Sequence, residues 1–197
     1  MNPQLIVSSL ILLAGIIYFT FPYVNKRFFQ RPVLTIEIEP NKGITMSRRH
    51  LGYSPENDFS QPVNRPEVYS FYEVTWKFNL VIRNNSPYDS YHIELFYSGL
   101  KNGTLNFNSK VNQNKPLAKH AEILVPFEYN LTTKIQHKDI KTLNVREPKE
   151  FADIEMILTY KNERKTRFNT TFNMKTKELK YNKVSSKKIK KKGANKV

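Results

Sequence analysis

Between residues 72 and 83 the chain reads YEVTWKFNLVIR, and this alternation constrains its fold more than any other feature. Tyr72, Val74, Trp76, Phe78, Leu80 and Ile82 are apolar or aromatic, whereas Glu73, Thr75, Lys77, Asn79 and Arg83 are polar; Val81 is the one departure. Successive side chains of a strand point to opposite faces, so this run buries one face and wets the other. On a helix the same residues would be scattered around the circumference. The pattern predicts a half-buried antiparallel strand. It stops at Asn84-Asn85-Ser86-Pro87, where the asparagines tolerate left-handed backbone angles and the proline fixes a bend without an amide donor. Alternation resumes with Tyr91, Ile93, Leu95 and Tyr97, so two strands flank a polar turn and face one core.

Further period-2 runs predict strands at 33–39, 104–108, 121–131, 151–160 and 167–174. Within the third, Ile123, Val125, Phe127 and Tyr129 alternate, and Pro126 points to an edge or a bulge. Eleven Tyr and thirteen Phe supply ample core material. Seven short strands separated by turn signals, with no amphipathic helix, read as an all-β antiparallel sandwich over residues 33–175.

The segments KFNLVIRNNSPYDSYHIELFYSGLKNGTLNF and NKPLAKHAEILVPFEY resemble immunoglobulin- or fibronectin-III-like modules of the CARDB and WHy kind. Those modules carry a strand ending in an Asn-rich turn, a second strand, a short Asn-Gly hairpin, and a later strand introduced by a turn. The resemblance covers residues 72–131 and departs at Pro87 and in the long connection before Glu67. It implies an immunoglobulin-like sandwich with an adhesion, scaffold or binding role.

Upstream of the sandwich, LIVSSLILLAGIIYFTFPYV (residues 5–24) contains no charged side chain. As a helix it would span ~30 Å, the thickness of a bilayer's hydrocarbon core. Tyr18, Phe19, Phe21 and Tyr23 crowd one end like an interfacial aromatic belt. A cleaved signal peptide would open on basic residues and end at a small-x-small site, and neither is present. The expectation is a retained transmembrane helix (1–25) followed by a basic juxtamembrane segment (26–32). Lys26, Arg27, Arg31 and Lys42 follow it and no Lys or Arg precedes it, which predicts a cytoplasmic C-terminal domain. Four N-x-[ST] sequons, at Asn84, Asn102, Asn130 and Asn169, argue the other way, although such matches arise by chance in an Asn-rich chain.

The chemistry-bearing residues form no catalytic pattern. With no cysteine, disulfides, thiolate nucleophiles and zinc ribbons are excluded. His50, His92, His120 and His137 are spread singly, without metal-ligand spacing. Acidic pairs at i,i+2, Glu37/Glu39 and Asp153/Glu155, would share a strand face, where a solvated surface is the simpler reading than acid–base work. Six glycines build no phosphate-binding loop and no nucleophile elbow. The expectation is no enzyme, no cofactor and no metal.

Two segments remain as candidate contact sites. The connection 46–67 is long enough for a functional loop. It carries Arg48, Arg49, Tyr53 and Phe59, a mixture of charge and aromatic surface suited to an unidentified protein partner. The tail 176–197 holds nine Lys and one Glu, a net of +8, leaving +7 of the total +15 for residues 1–175. It has too little apolar content for a core and is expected to be disordered. Its Lys187, Lys188, Lys190, Lys191 and Lys192 would contact anionic lipid, at ~1 kcal/mol for each Lys near the surface. Only Tyr181 could stack on a base, so sequence-specific nucleic-acid recognition is not expected. The sequence thus predicts a membrane-anchored, non-enzymatic binding or scaffold module facing the cytoplasm. The alternatives are an exterior envelope or adhesion component and a membrane-tethered, non-specific nucleic-acid binder.

Overall fold

The computed structural model describes residues 3–24, 31–41, 46–57, 60, 67–142, 147–183 and 194–197, with helix side chains given for residues 9–22 and 24. Among the described residues one helix, α1 (Pro3–Val24), precedes ten strands: β1 (Leu34–Pro40), β2 (Met46–Tyr53), β3 (Tyr69–Asn84), β4 (Tyr91–Ser98), β5 (Thr104–Phe107), β6 (Glu122–Gln136), β7 (Glu155–Lys161), β8 (Arg167–Asn173), β9 (Leu179–Lys183) and β10 (Asn195–Lys196). Short 3₁₀ turns occupy His137–Thr142 and Lys149–Asp153.

The strands form two antiparallel sheets, one ordered β1-β3-β6-β5 with β2 also on β3, the other β10-β4-β7-β8-β9. The long strand β3 follows directly from the alternating run. Its even-numbered side chains from Tyr72 to Ile82 are all buried. On one flank it pairs along its whole length with β6, from Tyr69 opposite Gln136 to Arg83 opposite Glu122. On the other flank β1 takes the C-terminal half and β2 the N-terminal half. The core between the sheets joins Leu34, Trp76, Phe78, Leu80, Phe127 and Tyr129 to Ile93, Leu95, Met156, Leu158, Tyr160 and Phe172.

The Asn-rich turn is a crossover between sheets, since β3 lies in one and β4 in the other. Asn84 is completely buried. Its side-chain amide donates to the carbonyls of Tyr88 (2.8 Å), Leu117 (3.1 Å) and Ala118 (3.2 Å), and its side-chain oxygen accepts from the Ser86 hydroxyl at 2.7 Å. This turn is structural. It also removes a sequon, because a fully buried Asn84 offers no site for a glycan. Asn169, 7% exposed, is closed off in the same way.

Pro126 stands inside β6 without a bulge. Its carbonyl accepts from Asn108 just past the last β5 pair, Phe107 opposite Phe127. Its missing N–H therefore falls where the β5 ladder has run out, an edge within an otherwise interior strand. The expected Asn102-Gly103 hairpin is instead a crossover from β4 in one sheet to β5 in the other, and it needs its glycine: φ is +76° and a Cβ would lie 2.5 Å from the Asn130 carbonyl oxygen.

Several expectations are corrected. Residues 46–67 are not a structureless connection, because β2 occupies their first part. Its charged residues and exposed faces hide it from any period-2 reading, and backbone pairing to β3 creates it. The strand expected from residue 151 begins at Glu155, and the preceding residues form a 3₁₀ turn that buries Phe151. The tail is not wholly without structure: β9 pairs with β8 and β10 with β4. Asn173 starts the β9 hairpin, its side-chain oxygen accepting from the amides of Lys175 and Thr176 at 3.0 and 3.1 Å. Backbone pairing at a sheet edge orders this Lys-rich stretch, helped by Leu179 and Val197, which pack against the core.

The helix expected over 5–24 is present as α1, yet among the described residues no helix is long and apolar enough to cross a membrane. The described residues therefore do not support the transmembrane assignment.

Tyr129 gives the core a pH response. It is fully buried and its hydroxyl donates to the Asn102 carbonyl at 2.9 Å. Burial, aided by the negative charge of Glu150, pushes its phenol from 10.0 up to about 12. A raised folded-state value means the unfolded chain releases this proton first. The contribution is complete below pH 10 and is lost as pH rises toward 12. Tyr129→Phe is expected to cost about 1 kcal/mol at neutral pH by losing one hydrogen bond. Urea unfolding of both proteins between pH 7 and 12 should show that difference shrinking above pH 10.

Candidate interaction surface on the β2 edge

Of the residues singled out for partner contact, the structure brings Arg48, Arg49 and Tyr53 together on β2. Phe59 lies outside the described residues, as do Lys187, Lys188, Lys190, Lys191 and Lys192. Register sorts the β2 side chains between two faces. Arg49 opposes Glu73 on the outer face, where the two form an ion pair at 3.1 Å; Arg48 opposes Val74 and His50 opposes Tyr72 on the inner face. The Arg49 side chain is 72% exposed, so this pair adds little stability.

On the inner face, Arg48 Nη1 donates to the Ile140 carbonyl at 2.8 Å, tying β2 to the 3₁₀ turn after β6. The His50 ring lies 5.2 Å from both the Tyr53 and Tyr72 rings. The Tyr72 hydroxyl meets His137 Nδ1 at 3.4 Å. That contact is long for a hydrogen bond. Among the described residues no group of three or more His, Asp or Glu side chains could hold a metal ion.

The end of the strand is pinned. A bulge between His50 and Gly52 twists it. Beyond it Asn57 clasps the start of β3, donating to the Tyr69 carbonyl at 2.7 Å and accepting from the Tyr69 amide at 2.9 Å. Lys134 on β6 pairs with Glu56 and lies 4.9 Å from the Tyr69 ring centroid. The result is a fixed edge with Leu51 and Tyr53 exposed at 46 and 63%, while Tyr69, 40% exposed, lies on the outer face with Glu73. Arginine and tyrosine are the residue types that most often anchor protein interfaces. Sequence reading found the arginines and Tyr53. It passed over Leu51, which lies on β2 between Arg49 and Tyr53, and it missed Tyr69 and the His50–Tyr72–His137 cluster, which are placed there only through strand register.

Among the described residues, one recess lies where the crossover turn after β3 meets the β7–β8 turn, and another lies on the β4-β7-β8 sheet. The first, of about 300 Å³, is bounded by Tyr88, Asp89, Tyr91, Lys119, Asn162 and Arg164. The second, of about 220 Å³, is bounded by His92, Glu94, Gln113, Thr159, Lys161 and Arg167. Both are polar and open, unlike the enclosed apolar pockets that take small ligands.

The acidic pairs resolve as surface chemistry. Glu37, Glu39 and Glu122 surround Arg83 across β1, β3 and β6, with Glu39 at 3.6 Å and Glu122 at 3.1 Å. Asp153 lies in a 3₁₀ turn while Glu155 opens β7, so the two do not share a strand face. Lys101 bonds Asp153 at 2.8 Å, and that hydrogen bond and charge hold its carboxyl below the usual value.

No protein-family model matches the chain, and no curated protein matches it. Among solved structures, an X-ray structure from the Northeast Structural Genomics Consortium aligns over 76% of this chain and 82% of that one, at 8% identity. Its TM-score of 0.16 is too low for that likeness to bear on fold or function.

Proposed function

We propose that this chain is a membrane-anchored, non-enzymatic binding module: an immunoglobulin-like sandwich held at the cytoplasmic face by α1, with the β2 edge as its surface for a protein partner. The observation that carries the reading is the state of α1. Leu10, Ile11, Leu12, Leu13, Ile16 and Ile17 are each more than half exposed, as are Tyr18, Phe19 and Phe21. The helix is absent from the closely packed pairs of elements. A helix apolar on every side is stable only in a protein core or a bilayer, and no core covers this one among the described residues. Residues 5–24 taken whole have the length that a bilayer needs.

Strand order supports the immunoglobulin-like assignment. The series β1-β3-β6-β5 opposite β4-β7-β8 follows the ABED and CFG arrangement of constant-type immunoglobulin domains. Strands β2, β9 and β10 are then additions at the edges. Immunoglobulin-like sandwiches serve many roles, so the binding function rests on the β2 surface rather than on the fold.

Arg31 supports a fixed junction between anchor and body. Its guanidinium carbon lies 5.5 Å from the Phe168 ring centroid and 5.7 Å from that of Tyr181. A cation stacked between two aromatic faces is attracted to both, which would tie the juxtamembrane segment to β8 and β9.

Washing membranes with alkaline carbonate tests the anchor. The full chain is expected to stay in the pellet and a chain starting at residue 25 to be released. Release of the full chain would remove the anchor from the account.

A further inference from the structure

A sheet edge exposes a row of backbone donors and acceptors with which another chain can pair. In the second sheet β4 would be such an edge but for two short covering segments. At its start Ser90 and Leu117 exchange backbone hydrogen bonds of 2.9 and 2.8 Å. Toward its end β10 pairs antiparallel, Asn195 opposite Tyr97 and Lys196 opposite Phe96, and the Val197 amide donates to the Leu95 carbonyl at 3.1 Å. The docked side chains alternate: Lys196 Nζ reaches Glu94 Oε1 at 2.7 Å, and Val197 packs against the core.

The receiving groups belong to β4 and its neighbour β7. Glu94 is 29% exposed, and its second carboxylate oxygen accepts from the Thr159 hydroxyl at 3.3 Å, which orients it independently of β10. Burial raises its carboxyl, but the hydrogen bond and charge of Lys196 outweigh this and keep it below 4.5. It is therefore an anion at neutral pH.

We propose that the β4 edge is a strand-docking site, closed in cis by residues 195–197, that accepts from a partner protein an extended segment with a basic residue followed by a β-branched apolar one. Main-chain pairing supplies the affinity of such a site and alternate side chains its specificity. The closing segment is short: β10 has two residues, so few backbone bonds oppose displacement. The tripeptide Asn-Lys-Val occurs at 182–184 and again at 195–197. Each time its Asn and Lys pair at an outer strand of this same sheet, on β8 and on β4. This site is separate from the β2 surface and does not depend on the membrane anchor.

The absence of cysteine permits a reversible test. The Val197–Leu95 hydrogen bond makes Lys196 and Phe96 a non-hydrogen-bonded pair, whose Cα atoms lie ~4.5 Å apart in antiparallel sheets, within disulfide reach. The full chain carrying F96C and K196C, in detergent micelles, is titrated with a fluorescent Gly-Ala-Asn-Lys-Val peptide. An intrachain disulfide is expected to form, and the oxidised chain should bind the peptide about ten-fold more weakly than the reduced one. In a second variant, removing residues 194–197 should tighten binding about ten-fold over the unaltered chain, and adding Glu94→Gln should reverse much of that gain. Disulfide-linked dimers would put the segment on a second copy and overturn closure in cis. Equal affinity of open and closed chains would overturn the site. So would the absence of peptide binding to the shortened chain while Trp76 fluorescence and melting are unchanged.

Discussion

Asn84→Ala is expected to destabilise the sandwich by about 3 kcal/mol, since removing one partner from a buried hydrogen-bond group strands the others at roughly 1–3 kcal/mol each. The Asn84 amide serves three carbonyls, those of Tyr88, Leu117 and Ala118. Alanine leaves all three without that donor. It also removes the acceptor of the Ser86 amide and hydroxyl, at 3.2 and 2.7 Å. The backbone of Asn84 adds two further ties, donating to Ala121 at 2.9 Å and accepting from His120 at 3.0 Å. Asn84 therefore joins the end of β3, the crossover turn and the segment leading into β6. Asn84→Asp should be at least as damaging, because it aims a carboxylate at three carbonyl oxygens. Ser86→Ala should cost about 2 kcal/mol, because its buried hydroxyl contacts the Asn84 side-chain oxygen at 2.7 Å and the Tyr88 carbonyl at 3.0 Å and accepts from the Tyr88 amide at 3.3 Å. The chain has one tryptophan, Trp76, 2% exposed in the core. Its fluorescence during urea unfolding of the full chain reports all three variants. A loss below 1 kcal/mol for Asn84→Ala would show that solvent reaches this turn.

Phe151→Ala is expected to cost about 3–5 kcal/mol, the range for removing a buried phenylalanine. Phe151 is 1% exposed. Its ring centroid lies 4.9 Å from that of Phe78, 5.2 Å from Tyr129 and 6.5 Å from Phe127. The three neighbours sit on β3 and β6, whereas Phe151 arrives from the 3₁₀ turn before β7. It thus closes one end of the core with a residue from outside both sheets. Truncation leaves a cavity that the hydrogen-bonded β3–β6 pair cannot collapse to fill. Phe151→Leu should keep most of the volume and lose less. The same urea titration checks both, and equal stability of the alanine variant and the unaltered chain would contradict this packing.

The sequence was most legible where one face of a strand is buried. The runs around Tyr72, Tyr91, Ile123 and Phe168 announced β3, β4, β6 and β8, because burial on one face imposes the period-2 pattern. Strands that bury little beyond one end residue, Met46 or Leu179, carry no such pattern. Met46–Tyr53 reads SRRHLG in its interior, with almost every position exposed, and Leu179–Lys183 lies in a stretch rich in lysine. Composition classed both as unstructured, yet an open backbone edge accepted each.

The candidate surface was half visible for the same reason. Arg48, Arg49 and Tyr53 are adjacent in sequence and could be grouped by eye. Tyr69 and His137 reach the same region only through the registers of β3 and β6, which no local pattern encodes. Phe151 illustrates a third case. It was expected as the first residue of a strand, but a residue bracketed by Glu150 and Asp153 can be buried as well by a 3₁₀ turn, and Pro148 immediately before that turn favours its extended entry. Its apolar character was legible; the backbone that carries it inward was not.

Paired cysteine labelling tests the central claim most directly, in a chain with no native cysteine. Asn2→Cys and Ser60→Cys, in separate full-length chains, lie on opposite sides of α1. Both are treated in intact cells with a membrane-impermeant maleimide, and again after permeabilisation. A chain that spans the membrane with its sandwich in the cytoplasm predicts labelling of Asn2→Cys in intact cells and of Ser60→Cys only after permeabilisation. Labelling of both positions in intact cells, or of neither until permeabilisation, would contradict a spanning helix, and the reverse pattern would place the sandwich outside.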